Sequence, residues 1–237
     1  DEALRALDLA RDNFDRVSFD LIYARQDQTA ESWQAELARA LAMGPTHLSL
    51  YQLTVEDGTA FGDRFARGRL PGLPDEDLGA DLWEITQELT EAAGLPGYET
   101  SNHAVPGAEA RHNLIYWRSG DWLGVGPGAH GRLTLEGARW ATEMPRAPGA
   151  WLAAVEAGPA EFQQRTEISK REWLEERLMM GLRLRDGIVL GEVNSLISNQ
   201  INVLSDSGLI DSADGVLKLT PRGRPLLNAV LRQLLAD

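Results

Sequence analysis

The chain has 237 residues, of which 43% are hydrophobic and 25% are charged, a balance that is typical of a folded globular protein. Its net charge of −13 argues against non-specific binding to nucleic acid or to anionic membranes. The absence of cysteine excludes disulfides and thiolate metal ligands within the chain. No apolar run reaches the roughly 18 residues that a membrane span requires, and we expect a cytoplasmic protein.

The chain begins with an alternation of helical and strand-like patterns. Residues 2–14 carry apolar side chains at helical spacing, and residues 30–43 do so again between Thr29 and Gly44. Between them, residues 17–24 form a nearly continuous apolar run, which is typical of a strand buried on both faces. This order predicts a helix, a buried strand and a second helix.

Two further strands are predicted, with one more helix between them. Residues 46–55 have the pattern of a second strand, and residues 56–74 that of a loop rich in glycine, arginine and proline. Asp75 caps a helix that Gly94 ends, and residues 97–101 form the third strand. Strands that alternate with helices indicate a parallel sheet, whose ligands bind beyond the carboxyl ends of the strands.

The remaining part of the chain has the element order of a winged-helix domain. Residues 169–182 and 191–209 are helical patterns, a hairpin turns at Asp214, and residues 221–236 form a last helix. The second of these helices has no Lys or Arg, and residues 169–237 carry nine basic and nine acidic side chains. A protein that reads DNA grooves needs cations for the phosphates, so we predict a packing or docking module that does not bind DNA.

Three carboxylates lie within strands or near their ends. Asp20 is the one charge in the first strand, and Glu56 and Glu99 stand near the ends of the next two. A buried, ionised carboxylate is costly unless it is paired. Asp20 is therefore either half of a buried ion pair or a ligand-binding group, and the three carboxylates favour a ligand with cationic groups or hydroxyls.

Residues 111–131 join polar and aromatic residues to a run of glycines, RHNLIYWRSGDWLGVGPGAHG. Gly124, Gly126 and Ala129 fit the G-x-G-x-x-A pattern of a dinucleotide site, but a strand-like segment follows instead of the helix that such a site requires. The dinucleotide interpretation is therefore rejected. Glycine has no side chain, so its backbone can lie close to another group. The sequence leaves open whether that group is a ligand or another strand.

His112 and Tyr116 are spaced i, i+4 and would share one face of a helix. Both side chains can ligate iron, and both can simply form hydrogen bonds with the backbone. The spacing alone leaves these alternatives open. The four histidines of the chain form no metal-spaced cluster; they are His47, His103, His112 and His130.

Five motifs resemble one protein family, in sequence and in order: VSFDLIYARQDQT, HLSLYQLTVEDGT, GYETSNHA, RHNLIYWRSGDWLGVGPGAHG and RLMMGLRLRDGI. The family is that of the HemW-type haem chaperones, radical-SAM proteins related to oxygen-independent coproporphyrinogen III oxidase. The resemblance covers nearly the whole chain. It implies an α/β fold, with part of an open (βα) radical-SAM-type barrel in residues 1–150 and a small helical, winged-helix-like domain in residues 151–237.

The resemblance also implies roles for particular residues. Asp20 stands where the family has a carboxylate that contacts S-adenosylmethionine, and Ala129 and His130 stand where backbone lines the site of that cofactor. The chaperone branch carries His-Asn-x-x-Tyr-Trp ahead of the glycines, and this chain has the same pattern at 112–117. The pattern implies contacts with haem from three residues, which are His112, Asn113 and Tyr116.

His112 is the expected axial ligand of the haem iron. Tyr116 is second, because a phenol with a reference pKa of about 10 must lose a proton before it ligates near neutral pH. Asn113 would orient the loop. His103 and His130 are the alternative ligands, since both can lie at the same end of the sheet.

The chain departs from the family pattern in two places. After DLIY the family has Gly-Leu-Pro, whereas this chain has Ala24, Arg25 and Gln26, which leaves the shape of that loop open. The three cysteines that hold the 4Fe-4S cluster of the family are absent. We therefore expect the C-terminal part of a longer protein, whose missing N-terminal barrel half carries the cluster, and no catalysis by this chain alone.

The resemblance implies a haem-binding chaperone that transfers haem to acceptor proteins. Its cofactors would be S-adenosylmethionine and the 4Fe-4S cluster in the full-length protein, together with haem. Haem-accepting proteins would be partners, with peripheral contact to membrane-bound acceptors. Two alternatives stay open: an oxygen-independent coproporphyrinogen III oxidase, and a non-catalytic docking fragment.

Overall fold

The computed structural model describes residues 2–158, 163–197 and 200–236. Its contacts divide the chain into two compact units, residues 1–110 and residues 111–237. This division falls earlier than the predicted domain boundary because residues 130–143 form strands that pair with residues 164–168. The domain bounds 1–150 and 151–237 stay a prediction.

The first unit contains four helices and three strands. In chain order these are α1 (Glu2–Asn13), β1 (Phe19–Tyr23), α2 (Ala30–Leu41), β2 (His47–Gln52), α3 (Ala60–Ala66), α4 (Glu76–Ala92) and β3 (Asn102–Ala104). The strands form one sheet in the order β1-β2-β3, with β1 parallel to β2 and β2 antiparallel to β3.

The predicted start of a helix after Thr29 and the predicted cap at Asp75 are both confirmed. The Thr29 side chain accepts a hydrogen bond from the backbone of Ser32 at the start of α2, and that of Asp75 accepts one from Leu78 at the start of α4. The loop predicted at 56–74 is wrong in part, because α3 lies within it. Thr59 starts that helix by accepting a hydrogen bond from the backbone of Gly62 at 3.0 Å.

The third strand is shorter than predicted and runs in the opposite direction. Residues 97–101 contribute only an isolated bridge from Gly97 to His103, and β3 pairs antiparallel with β2. The chain reverses here because the Glu99 carboxylate accepts a hydrogen bond from the backbone of Ser101 at 3.0 Å. The prediction of a wholly parallel sheet is therefore wrong for this strand.

The hydrophobic core of the first unit lies on one face of its sheet. Tyr23, Leu48 and Leu50 of the sheet pack there against Trp33 and Leu37 of α2. On the other face, the residues that alternate with them along β1 are exposed, including 47% of Ile22. The prediction that the first strand is buried on both faces is wrong, because β1 lies at the sheet edge with its second face open.

The loop after β1 contains no glycine, although its first residue has a backbone conformation that glycine adopts most easily. Ala24 takes a φ of 59° and is buried, at the position where the resembled family has glycine. The backbone of Asp27 donates to the carbonyl of Gly72 at 2.6 Å, and the Gln26 amide donates to the carbonyl of Pro71 at 2.6 Å. Contacts with residues 71–72 therefore hold the shape of this loop.

The second unit contains six α-helices and six strands in the part of the chain that the structure describes. They are α5 (Arg111–Trp117), β4 (His130–Leu135), β5 (Ala138–Glu143), α6 (Pro148–Ala157), β6 (Gln164–Ile168), α7 (Lys170–Gly181), β7 (Ile188–Val189), α8 (Leu190–Ile197), α9 (Ile201–Asp206), β8 (Ile210–Asp211), β9 (Val216–Leu219) and α10 (Leu227–Leu234). They form two antiparallel sheets, β4-β5-β6 and β7-β9-β8.

The predicted order of helix, helix, hairpin and helix is confirmed after residue 168. Ser169 and Glu172 form a reciprocal cap at the start of α7, and β8 and β9 form the hairpin. The pattern at 191–209 corresponds to α8 and α9, with residues 198 and 199 outside the described part. The sequence did not predict β6 and β7, and none of the described helices is long and apolar enough to cross a membrane.

His47 is a buried histidine at the start of β2. It is 7% exposed, and its ring nitrogens bond to the Ser18 hydroxyl at 2.7 Å and to the Tyr98 hydroxyl at 3.0 Å. Burial disfavours the charged ring and lowers the pKa of His47 below its usual 6.5. The unfolded chain therefore takes up this proton at a higher pH than the folded chain does.

We predict that His47 makes folding stability fall on the acidic side of pH 6.5. Its contribution is fully present above that pH and is lost as the pH drops toward the lowered pKa of the folded state. The free energy of unfolding, measured by urea titration between pH 8 and 5, should decline less steeply in His47→Gln. Equal slopes for His47→Gln and the parent would contradict the prediction.

Candidate functional site

The helix α5 carries the polar part of the motif at 112–117. A hydrogen bond joins the Tyr116 hydroxyl to His112 Nε2 at 2.9 Å, and the two rings meet edge to face with centroids 4.7 Å apart. The predicted sharing of one helix face by these two residues is therefore confirmed. His112 is exposed and Asn113 is partly buried on the same short helix.

Behind Tyr116 lies a second aromatic ring, that of Trp122. The two ring centroids are 4.7 Å apart at an interplanar angle of 75°. The Arg132 guanidinium stands over the Trp122 ring, 5.7 Å from its centroid, and its Nε donates to the carboxylate oxygens of Glu176 at 3.1 and 3.0 Å. A continuous line of contacts therefore leads from Glu176 on α7 to His112.

Sequence reasoning missed Arg132 and Glu176. They stand 44 positions apart, and no local pattern marks them as partners. One signal could have found Arg132. The segment after the glycines is strand-like, so it could have been predicted to fold back and pair antiparallel with the segment that contains Trp122. Trp122 and Arg132 form an isolated β-bridge.

Two glycines of the motif, Gly124 and Gly131, are closely packed against neighbouring chain segments. A Cβ on Gly124 would lie 2.5 Å from the His130 carbonyl oxygen, and a Cβ on Gly131 would lie 2.5 Å from the Thr142 hydroxyl. The sequence left open whether these glycines let a ligand or another strand approach. The contacts of Gly124 and Gly131 are with neighbouring strand segments. Between the glycines, Leu123 is 70% exposed and Val125 is 81% exposed.

The backbone groups expected to contact S-adenosylmethionine have partners within the second unit. The Ala129 N–H donates to the carbonyl of Gly126 at 3.2 Å, and its own carbonyl accepts from Met144 at 2.9 Å. The His130 carbonyl accepts the indole N–H of Trp122 at 3.2 Å. The His130 imidazole itself is exposed and lies 4.0 Å from the Glu143 carboxylate.

The remaining candidate residues belong to the first unit. Asp20 is exposed, so the interpretation that makes it half of a buried ion pair is wrong. His103 is 1% exposed, which makes it a poor candidate for an external ligand. Glu56 is exposed and accepts a hydrogen bond from the Thr54 hydroxyl at 3.4 Å.

Asp20 has two polar neighbours on its face of the sheet. The register pairs Asp20 with Ser49 and Ser49 with Asn102, so these three residues form a row across all three strands. Asn102 donates its side-chain amide to the carboxylate of Glu99, which is 3% exposed. Burial raises the pKa of Glu99 above its usual value.

The residues present fit haem but do not fit an iron–sulfur cluster. The chain has no cysteine, and no group of three or more metal-ligating side chains occurs among the described residues. Haem needs only one axial side chain and flat, apolar surroundings. The His112 imidazole is exposed beside the rings of Tyr116 and Trp122, so its chemistry suits an axial ligand of haem iron.

The fold is that of a radical-SAM protein. Coproporphyrinogen III oxidase (HemN) from Escherichia coli, described as a radical SAM enzyme, superimposes over 99% of this chain and 58% of its own, with a TM-score of 0.73 and 17% sequence identity. The predicted α/β class, with part of a barrel and a small C-terminal domain, is therefore confirmed. Residues 168–226 also match the family described as the HemN C-terminal domain.

Sequence comparison identifies the branch. The heme chaperone HemW of Mycobacterium tuberculosis is 35% identical to this chain, and the match covers 98% of this chain and 58% of the relative. The heme chaperone HemW of Escherichia coli K12 is 33% identical, and the match covers 100% of this chain and 62% of the relative. A radical S-adenosyl methionine domain-containing protein 1 of Dictyostelium discoideum is 35% identical over 99% and 60%. Over almost its whole length the chain is similar to HemW-type radical-SAM proteins, and it spans about 60% of the length of these relatives.

We predict that Gly124→Ala destabilises the second unit by about 1–3 kcal/mol, because its Cβ would collide with the backbone of His130. The control is Gly149→Ala, where nothing lies within 4 Å of the added Cβ and a helix begins. That variant should be neutral or stabilising by up to about 1 kcal/mol. Chemical denaturation of both variants measures the difference, and an equal effect would contradict the packing role of Gly124.

Proposed function

We propose that this chain supplies the haem-contacting part of a haem chaperone, which binds haem and passes it to acceptor proteins. The observation that carries the proposal is the exposed His112 imidazole, held beside Tyr116 and Trp122 within a His-Asn-x-x-Tyr-Trp motif. The relatives named heme chaperone HemW support it at 32–35% identity.

His112 is the proposed axial ligand. A neutral imidazole offers a lone pair near pH 7, whereas the phenol of Tyr116 must first be deprotonated. His103 is too deeply buried to reach an external ligand, and His130 lies beside the Glu143 carboxylate. Asn113, on the same short helix, would orient the loop.

The proposed cofactor of the complete protein is S-adenosylmethionine, together with a 4Fe-4S cluster whose ligands this chain does not contain. The exposed carboxylate of Asp20 can accept hydrogen bonds from hydroxyl or ammonium groups, and Ser49 and Asn102 extend its polar row. In the second unit, Ala129 and His130 are proposed as backbone contacts of S-adenosylmethionine. Without the cluster ligands, this chain would not catalyse radical chemistry alone.

The proposed partners are haem-accepting proteins and an N-terminal barrel half that holds the cluster. A cytoplasmic location, with peripheral contact to membrane-bound acceptors, fits the absence of a membrane-spanning helix from the described residues. The tail after residue 168 is proposed as a docking module that does not bind DNA, because α8 and α9 carry no Lys or Arg.

A second candidate function is the oxidative decarboxylation of coproporphyrinogen III, favoured by the structural similarity to HemN. That similarity is accompanied by only 17% identity, whereas proteins named HemW match at about twice that level. Conversion of the porphyrinogen by a complete, cluster-loaded protein would favour the oxidase. A chain that binds no haem at all would favour the third alternative, a non-catalytic docking fragment.

We predict that His112→Ala abolishes or shifts the Soret band of the haem-loaded 237-residue chain, because the iron loses its axial ligand. Absorption titration with haemin measures both the spectrum and the affinity. Tyr116→Phe should have the smaller spectral effect, since it keeps the imidazole. His130→Ala, which removes another exposed histidine of the same unit, is the matched control and should leave the spectrum unchanged.

An unaltered Soret band and unaltered affinity in His112→Ala would contradict the proposal. His112 would then be a structural histidine whose ring is satisfied by Tyr116. Loss of the band in His130→Ala alone would move the axial ligand to that residue and also overturn the assignment.

We predict that Asp20→Asn weakens the binding of S-adenosylmethionine and changes stability by less than about 0.5 kcal/mol, since Asp20 is exposed. Calorimetric titration and thermal melting of the 237-residue chain provide the two measurements. Asp8→Asn, which removes the same charge from the exposed face of α1, is the control and should leave both unchanged. Lost stability with unchanged cofactor affinity would contradict the binding role.

A further inference from the structure

We propose that Tyr116 is a positioning residue that keeps His112 in a closed state, and that the iron of haem must displace the Tyr116 hydroxyl to bind. The inference rests on the proposed function, namely haem binding at His112. It assigns Tyr116 a role opposed to that of an iron ligand, because the hydroxyl and the iron compete for one nitrogen.

The competition concerns Nε2 of His112. The Tyr116 hydroxyl lies 2.9 Å from that atom, at hydrogen-bond distance. A porphyrin is wide and flat, and the other ring nitrogen, Nδ1, is adjacent to the Cβ of the histidine. A macrocycle centred on Nδ1 would meet that Cβ and the backbone of α5, so Nε2 is the nitrogen that haem iron can reach. In the closed state the hydroxyl donates to Nε2 and the ring proton is on Nδ1.

The tyrosine is the fixed member of this pair. Trp122 packs against its ring on one side, and the Trp122 backbone N–H donates to the carbonyl of Arg132 at 2.8 Å. The Arg132 guanidinium covers the Trp122 ring, and the Glu176 carboxylate holds the guanidinium with two contacts of about 3 Å. We name Trp122, Arg132 and Glu176 the buttress.

His112 is the member that moves. Its side chain is exposed on a helix of seven residues, while the Arg132 and Glu176 side chains of the buttress are 23% and 14% exposed. Opening therefore means rotation of the imidazole away from a stationary phenol. A net intramolecular hydrogen bond shifts such an equilibrium by about two- to tenfold, and the apparent affinity for haem falls by the same factor.

The decisive variant is Tyr116→Phe, which keeps the ring in the aromatic packing and removes only the hydroxyl. The 237-residue chain and this variant are titrated with haemin and, separately, with metal-free protoporphyrin IX. We expect the variant to bind haemin about two- to tenfold more tightly, with protoporphyrin affinity unchanged, because only the iron competes for Nε2. Unchanged or weaker haemin binding, or an equal gain for both porphyrins, would overturn the inference.

A second measurement needs no haem. The ¹⁵N chemical shifts of the His112 ring in the ligand-free chain report which nitrogen carries the proton. We expect an unprotonated Nε2 that accepts a hydrogen bond in the parent chain, and a changed Nε2 shift in Tyr116→Phe. A protonated Nε2 in the parent chain would overturn the inference, because its lone pair would not be the group that the hydroxyl occupies.

A double-variant cycle tests whether the buttress acts through Tyr116. Arg132→Gln alone should raise haemin affinity by less than Tyr116→Phe does, because the phenol is loosened but present. Added to Tyr116→Phe, the same change should have no further effect. An additive effect would show that Arg132 acts by another route and would overturn the role of the buttress.

The inference and the proposed function fail in different ways. If His112→Ala binds haemin like the parent chain, the proposed function fails. The Tyr116 hydroxyl and the iron would then not compete for His112, because His112 would not ligate the iron. If His112→Ala loses the iron-dependent binding while Tyr116→Phe matches the parent, the function stands and only the role of Tyr116 fails.

Discussion

The antiparallel bridge between Trp122 and Arg132 is the interaction on which the candidate site depends. Two backbone hydrogen bonds, of 2.8 and 3.0 Å, fix the segment after α5 against the start of β4. With the backbone fixed, the indole can pack on Tyr116 and receive the guanidinium on its other side. The ion pair with Glu176 is largely buried, and its main contribution is to geometry, since pairs of this kind add little net stability.

The glycines of the motif belong to the same arrangement. Gly124 and Gly131 face each other on the two bridged segments, and each meets backbone or a side chain at a distance that no Cβ could occupy. Their small size lets the segment lie flat on the β4–β5 hairpin, so that the aromatic row projects from one side. Of the glycines that resemble a nucleotide fingerprint, Gly124 is thus explained by close packing, and Gly126 by its positive φ of 105°.

Local patterns predicted the features that depend on neighbouring residues. The caps at Thr29 and Asp75, the winged-helix order and the shared face of His112 and Tyr116 follow from spacing along the chain. The features that were missed depend on distant partners. β3 runs antiparallel after a turn in which buried Glu99 accepts a hydrogen bond from the backbone of Ser101, and Ile22 is exposed on the sheet face opposite the core. Arg132 and Glu176 come together only through tertiary packing.

The turn at Ala24 holds a non-glycine residue in the left-handed region of the backbone. An alanine at a φ of 59° carries about 1–2 kcal/mol of conformational cost relative to glycine, and burial of its methyl group offsets part of that cost. The loop is anchored from outside by residues 71–72, so its geometry does not depend on the identity of residue 24. Glycine at position 24 would remove that cost and leave the contacts with residues 71–72 intact, so this loop can be built with either residue.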